Sequence, residues 1–502
     1  MQFVDMRLTH NKGNNHYIEE FTGDVSGKLH VFANEEVYKN LETRVFEMGR
    51  NNLQIPRNVH MSYTPDAHVG VGTCIGTTAV WNAKDGFISP SIVGSDIGCG
   101  MRLHRTNLHK NDLKDVELRR ALVAGIEKYV NTVDESNFRK GSARQTVKGH
   151  YSESLDPWHI ATKGLGGVPS EFFFNESDIE NTEISGFDLE ADIKAYLDKH
   201  GQGKLFNKDS KVFTSIRDQL GTLGGGNHFI EVQSIAIEDE NRETAKKWGL
   251  FDGQIVFMVH SGSRGFGARA GRDAVKAFKE EMYNWGIESP DPNLVFAPFN
   301  SEVGQDYYTM LRASLNYAVA NRHMIAYGVS QAFRDVMGEH VETELLYDLM
   351  HNYAQVEFHR NSPHIVHRKG ATRALPAGHY LNPKAFKETG HPALIPGSMG
   401  TSSYIMLGKD EGVKNFYSIC HGAGRVRSRR ATREVVTVDD FAKSLRVGED
   451  DEIVVNQKSL ETILDECPQA YKDVDQIIDS VVGAKLASVV AVCKPLVVVK
   501  GA

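Results

Sequence analysis

Apolar positions recur with a helical period over residues 35–48, 187–200, 268–285, 307–336 and 473–492. Gly201 follows the second of these runs and is a natural stop for it. Shorter apolar runs at 253–259, 403–407 and 496–499 read as strands. The two kinds of run do not alternate regularly, which argues against a doubly wound sheet or an eight-stranded barrel and for a complex α+β fold. No repeat, low-complexity tract or Pro/Ser-rich linker interrupts the pattern, so residues 1–502 are expected to form one domain. The most apolar stretch, 486–499, is broken by Lys494 and Pro495 and is too short to cross a bilayer.

Between the apolar runs lie short polar blocks rich in glycine: GSDIGCGM at 94–101, GTLGGGNHFIE at 221–231, HSGSRGFG at 260–267, HRKGATRALPAG at 367–378, PGSMGTSSY at 396–404 and HGAGRVRSRR at 421–430. A strand leading into such a block lets backbone N–H groups come close to a phosphate. Neither GxxxxGK[ST] nor a post-strand GxGxxG occurs, so the common nucleotide fingerprints do not apply.

Composition sharpens this picture. Glycine (46 of 502) and histidine (21) are both abundant, and histidine is the side chain that most readily binds metals and moves protons near neutral pH. The 57 basic and 65 acidic side chains leave a net charge of −8, unfavourable for a general nucleic-acid coat but compatible with a local basic site. Five scattered cysteines do not suggest a disulfide framework. The first ten residues, MQFVDMRLTH, lack the pattern of a signal peptide. Together these predict a reducing, cytoplasmic setting and no membrane association.

Asp96 and Cys99 lie three apart in a glycine-flanked turn. Carboxylate, thiolate and imidazole together suit a borderline divalent ion such as Mn, Fe, Co or Zn. His228, His260 and His351 are the candidate partners, with His351 expected on a helix. Each residue alone has an ordinary structural explanation, and only the set points to metal. Arg425, Arg427, Arg429, Arg430 and Arg433 crowd one segment beside His421, and arginine forks match phosphate. Arg264, Lys369 and Arg373 extend the basic set. His421, flanked by Gly422 and Gly424, can serve as a nucleophile that holds a phosphoryl group, or as a base or phosphate donor.

These blocks, with PDAHVG, HNYA, AYKDVD and the final VVKG, resemble the RtcB family of 3'-phosphate RNA ligases in the family's order from residue 65 to 501. The lysine motif KxDG of ATP-dependent ligases is absent, since Lys84-Asp85-Gly86 is one residue short. The resemblance implies an RtcB-like fold of mixed and antiparallel sheets flanked by helices, with the active site in a central cleft. It implies that His421 takes GMP from GTP, passes it to an RNA 3'-phosphate, and that a 5'-hydroxyl RNA end then displaces GMP. A 2',3'-cyclic phosphate would first be opened. Two Mn2+ ions are implied, one on Cys99, His260 and His351 and one on Asp96, Cys99 and His228. Asp66 would orient His421. Asn227, Glu231, Asn352, Ser398, Ser403, Gly422, Ala423, Gly424, Tyr471 and Lys500 would hold the guanosine nucleotide, and Arg264, Arg425 and Arg429 the RNA phosphates. The family's upstream arginine pair is missing from KDSKVFTSIRDQL, where Lys211 or Arg217 would substitute. An archease-type activator is a possible partner. Two other readings use the same residues. A metal-dependent 2',3'-cyclic phosphodiesterase needs neither a guanylate acceptor nor a guanine reader, and a non-catalytic RNA-binding protein leaves the metal set unexplained.

Overall fold

The computed structural model describes residues 7–22, 25, 27–133, 147–445, 452–456 and 460–501. Two large sheets carry the α+β architecture. The first has seven strands in the order Arg7–Asn11, His16–Phe21, Lys28–Phe32, Asn58–His68, Ile75–Asn82, Ser362–Lys369, Asn352–His359. All its pairings are antiparallel except the third with the fourth. The second runs Thr343–Met350, Gly100–His109, Gln254–Ser261, Phe229–Ile237, Ala487–Lys500, Ser403–Gly408, Pro392–Ile395, with the short strand Val454–Val455 parallel to Ala487–Lys500. Every residue of Gln254–Ser261 is buried, which explains its unbroken apolar sequence QIVFMVHS.

The helix Glu302–Met337 is 36 residues long and buried through most of its middle. Ser301 caps its start, its side chain accepting from the Gly304 N–H, and Gly338 ends it at φ 104°. No helix among the described residues is long and apolar enough to cross a membrane. All five cysteines are buried and unpaired, in keeping with the expectation from their spacing.

Several expectations are corrected. The stretch 473–492 is a helix only over Val474–Gly483, after which Lys485 at φ 56° turns the chain into the strand Ala487–Lys500. Its run of small and β-branched residues fits either period, and edge pairing on both sides decides for strand. Pro495, which has no N–H to give, sits at a register shift in that ladder. The stretch 35–48 is split into helices Glu35–Lys39 and Thr43–Asn52. His351 is not helical: it is the corner between the strands Thr343–Met350 and Asn352–His359, which belong to different sheets. Two glycine blocks, 94–101 and 221–231, lead into strands rather than follow them.

Below that corner lies a buried ion pair. Arg322, from the middle of the long helix, donates to both carboxylate oxygens of Asp348, at 2.6 and 3.0 Å. The same guanidinium donates to the carbonyls of Gly98 (2.7 Å) and Ser261 (3.1 Å). Arg102 approaches Asp348 from the other side at 3.4 Å. Replacement Asp348→Asn removes the counter-charge from a fully buried arginine and is expected to cost about 3–5 kcal/mol, read as a lower denaturant midpoint at unchanged slope.

Candidate active site

The two sheets meet at a cavity of about 390 Å³. Its floor is built from segment ends. The loop at 94–99 precedes the strand Gly100–His109, His228 precedes Phe229–Ile237, His260 is near the end of Gln254–Ser261, and His351 is the corner just described. Backbone bonds fix these segments together: the His351 N–H donates to the Cys99 carbonyl at 2.9 Å and the Gly98 N–H to that of Asn352 at 2.8 Å. Gly262 packs against the Asp96 carboxylate so closely that a Cβ there would overlap it.

Two groups of potential ligand atoms result: Cys99, His260 and His351, and Asp96, Cys99 and His228, each group lying within 4.8 Å. Cys99 Sγ is 3.2 Å from His260 Nε2 and 3.6 Å from His228 Nε2. His260 Nε2 is 3.2 Å from His351 Nε2, and His228 Nε2 is 2.9 Å from Asp96 Oδ2. The outer nitrogens of two rings face carbonyls, His228 Nδ1 that of Leu223 at 3.0 Å and His260 Nδ1 that of Asn227 at 3.1 Å. A carbonyl can only accept, so both Nδ1 atoms carry a proton and both Nε2 atoms are the ones turned inward. Burial, then the neighbouring histidines, keeps His260 and His351 well below the ordinary imidazole range. Burial and Asp96 push the Cys99 thiol up. Imidazole nitrogens, a carboxylate and a thiol converging on one place fit a divalent ion, which would favour the thiolate. The residues therefore fit the metal set that the sequence suggested.

His421 stands on the wall just after the strand Ser418–Cys420. Its Nδ1 is 2.5 Å from Asp66 Oδ2, and its backbone N–H donates to the same oxygen at 2.9 Å. Asp66 is fully buried at a bulge in the strand Asn58–His68, where the register shifts between Tyr63 and His68. Burial opposes its ionisation, but the His421 imidazole, the Thr64 hydroxyl and the His421 N–H outweigh this and hold its carboxyl below the usual range. Gly424, at φ 72°, lies so close to the Asp66 backbone that no side chain fits. His421 Nε2 is thereby left for the cavity, and its ring centroid is 5.0 Å from that of His351.

On the far wall are Glu231, Ser398, Tyr471 and Lys500, with Asn227, Asn352, Gly422, Ala423 and Gly424 between. Burial pushes the Glu231 carboxyl up to about 8; hydrogen bonds from Gln233 and Ser403 work against this. Ser403 lies behind Glu231, at 3.4 Å, rather than on the wall. Asn352 is held by backbone on both ends of its amide, donating to Asp96 O at 3.1 Å and accepting from the Gly370 N–H at 2.8 Å.

The basic residues are placed less simply. Arg425 and Arg429 reach the cavity but are paired with Glu466, at 3.3 and 3.1 Å, and Lys500 Nζ lies 3.7 Å from the same side chain. Glu466, bonded also to Tyr471, carries no motif and was not singled out in the sequence. Arg264 lies off the wall, its Nε donating to Thr222 Oγ1 at 3.2 Å. Arg373, which the sequence placed in the basic set, is buried between Glu183 (2.8 Å) and Glu357 (3.4 Å). Lys369 lines the cavity, but its three donors go to the carbonyls of Val71, Thr73 and Ser91. Arg217, on the helix Lys211–Gln219, is paired with Asp218 at 2.9 Å. Sequence reading also passed over His68 and Phe229, both on the cavity wall.

The chain matches the family described as tRNA-splicing ligase RtcB over residues 50–501. It is 37% identical over 481 residues to the tRNA-splicing ligase RtcB of Thermococcus kodakarensis, covering 94% of each chain. It is 36% identical over 483 residues to that of Methanococcus maripaludis, again with 94% of each covered. The Nanoarchaeum equitans protein of the same name is 33% identical over 493 residues, covering 95% of this chain and 96% of its own. A match of this extent, carried by a chain whose PDAH, DIGC, NHFIE, HSGSR and HGAGR segments converge on one cavity, means that the protein belongs to the RtcB family.

Proposed function

We propose that the protein is an RNA ligase dependent on GTP and Mn2+, joining an RNA 3'-phosphate or 2',3'-cyclic phosphate end to a 5'-hydroxyl end. The observation that carries this reading is His421: its Nδ1 is engaged by a buried carboxylate, its Nε2 is left to the cavity, and five metal-compatible side chains lie beside it. A hydrolase of cyclic phosphates needs neither a guanylate acceptor such as His421 nor a buried carboxyl such as Glu231 in the same cavity.

In this reading, His421 Nε2 attacks the α-phosphorus of GTP, the new N–P bond replaces the bond to pyrophosphate, and Asp66 stabilises the cationic ring. Glu231 accepts from N1–H and the exocyclic amine of guanine, a donor pair that adenine lacks. Tyr471, Ser398 and Lys500 close the nucleotide site, and Asn227 and Asn352 face the phosphates. The GMP then moves to the RNA 3'-phosphate, and the 5'-hydroxyl displaces it to form a 3',5'-phosphodiester. Two Mn2+ ions, one on Cys99, His260 and His351 and one on Asp96, Cys99 and His228, would neutralise phosphate charge and orient the reacting oxygens. Arg264, Arg425 and Arg429 are assigned to RNA phosphates, the last two by exchange with Glu466.

Three outcomes test this reading. With α-labelled GTP and Mn2+, the protein is expected to retain label through denaturing electrophoresis and the His421→Ala variant to retain none. Label in the variant refutes the nucleophile, and cyclic-phosphate opening without any labelling supports the hydrolase reading. Cys99→Ala, which removes the side chain common to both ligand groups, is expected to lose bound metal by elemental analysis along with all steps. Glu231 gives a pH signature. A carboxyl raised to about 8 is ionised in the unfolded chain from near its ordinary value upward. Its contribution to stability is therefore full below that value and is lost as pH rises through 8. The advantage of Glu231→Gln in melting temperature is expected to grow by roughly 2 °C between pH 5 and 8. Guanosine needs the ionised form, so its affinity for the unsubstituted protein is expected to rise about tenfold per pH unit below 8, and to be flat in the variant.

A further inference from the structure

His68 ends the strand Asn58–His68, two residues after Asp66, and lines the cavity. Its ring lies nearly parallel to that of His421, with centroids 6.4 Å apart and planes at 19°. Its Nδ1 is 2.8 Å from the Asp66 backbone carbonyl. A carbonyl only accepts, so Nδ1 holds the proton and the Nε2 lone pair is available. No hydrogen bond from Nε2 to another described residue is present. Two imidazoles thus stand side by side, both held through Nδ1 by Asp66, one by its carboxylate and one by its main chain.

The chemistry assigned above needs two different nitrogens. In the first step the nucleophile is an imidazole nitrogen that carries no proton, so no base is required. In phosphodiester formation and in the opening of a cyclic phosphate the nucleophile is a hydroxyl or water oxygen that must lose a proton, whereas the phosphate oxygen that takes GMP from His421 carries none. We propose that His68 Nε2 is the base that takes this proton when an oxygen attacks the RNA 3'-phosphorus. This inference rests on the RNA ligase reading. In phosphodiester formation, the 5'-oxygen forms the new bond to phosphorus, GMP leaves with the bonding pair, and the 5'-hydroxyl proton passes to His68 Nε2. In opening a cyclic phosphate, water attacks phosphorus, the ribose 2'-oxygen leaves, and the water proton takes the same path. The imidazolium then returns its proton to solvent or to the departing oxygen.

The surroundings agree with a neutral base. Burial lowers His68 to about 4, with the Asp66 carbonyl opposing, His421 and Lys472 adding to the lowering, and the Asp66 carboxylate opposing it. The Lys472 ammonium donates to the carbonyls of Pro65 and Ala67, on the same strand. His68 is therefore unprotonated at neutral pH before substrate enters, and anionic phosphates in the cavity raise its basicity towards the working range.

His68→Asn is the informative variant, because its side-chain amide can still donate to the Asp66 carbonyl but offers no basic nitrogen. Guanylylation of the protein by labelled GTP is expected to stay within about threefold of the unsubstituted rate. Sealing of a pre-made guanylylated RNA 3' end to a 5'-hydroxyl RNA, and opening of a cyclic phosphate end, are expected to fall about 100-fold or more. The acid limb of the sealing pH profile is expected to vanish in the variant, a change that a purely structural role would not produce. Sealing at the unsubstituted rate overturns the assignment, and so does an equal loss of all three activities. If the unsubstituted protein takes up no label and seals no RNA, the ligase reading falls and this inference with it. If it does both and the variant matches it, only the role of His68 falls.

Discussion

Arg322 and Asp348 face each other in the interior, where a charge without a partner is costly and a paired one is held tightly. Because Arg322 comes from the middle of the longest helix, it joins that helix to a strand of the second sheet. Its remaining donors reach Gly98 and Ser261, which lie next to Cys99 and His260 in the chain. One guanidinium thus sets the distance between the two segments that bring Cys99 and His260 together. His351 is three residues beyond Asp348, so the same pair also fixes where the chain turns from one sheet into the other. A hydrophobic pair of equal volume would fill the space, but it would not hold two carbonyls at defined positions.

Asp66 plays the corresponding part on the opposite wall. The bulge that interrupts its strand frees both its carboxylate and its carbonyl from the ladder. Those two acceptors order two histidines by taking a proton donor from each. The wall then carries two ordered imidazoles, and the floor a carboxylate, a thiol and three imidazoles. The cavity between them is shaped by close backbone approach, as at Gly262 and Gly424, where side chains would intrude on Asp96 and Asp66.

Much of this was legible in the sequence, for physical reasons that differ by residue. Cys99, Asp96, His228 and His260 sit in glycine-rich blocks because the chain must bend sharply to converge, and glycine marks such bends. The strand Gln254–Ser261 was legible because complete burial removes polar residues from it. The corner at His351 was not, because a single residue between two strands leaves no turn signature, and the surrounding polar and apolar order resembles a helix. The strand Ala487–Lys500 was half hidden by a helical-looking lead, since its identity is decided by partners far away in the chain, Phe229–Ile237 on one side and Ser403–Gly408 on the other. Charge was least legible of all. Arg373 and Arg425 look alike in sequence, yet one is locked between buried carboxylates and the other reaches the cavity, and only the position of Glu183, Glu357 and Glu466 separates them.

Glu466 has a wider meaning for how anions would be received. Burial works against its ionisation, but Lys500, Arg425 and Arg429 outweigh this and hold its carboxyl below the usual range. The cationic wall is therefore partly neutralised from within by a single shared carboxylate. In the proposed reaction a phosphate entering here would not displace a cloud of small counterions from an open basic surface. It would trade places with an internal carboxylate, which would remain nearby as a tethered competitor. Recognition by such an exchange depends on how well the newcomer fits the geometry of the guanidinium groups, and less on ionic strength than binding driven by counterion release.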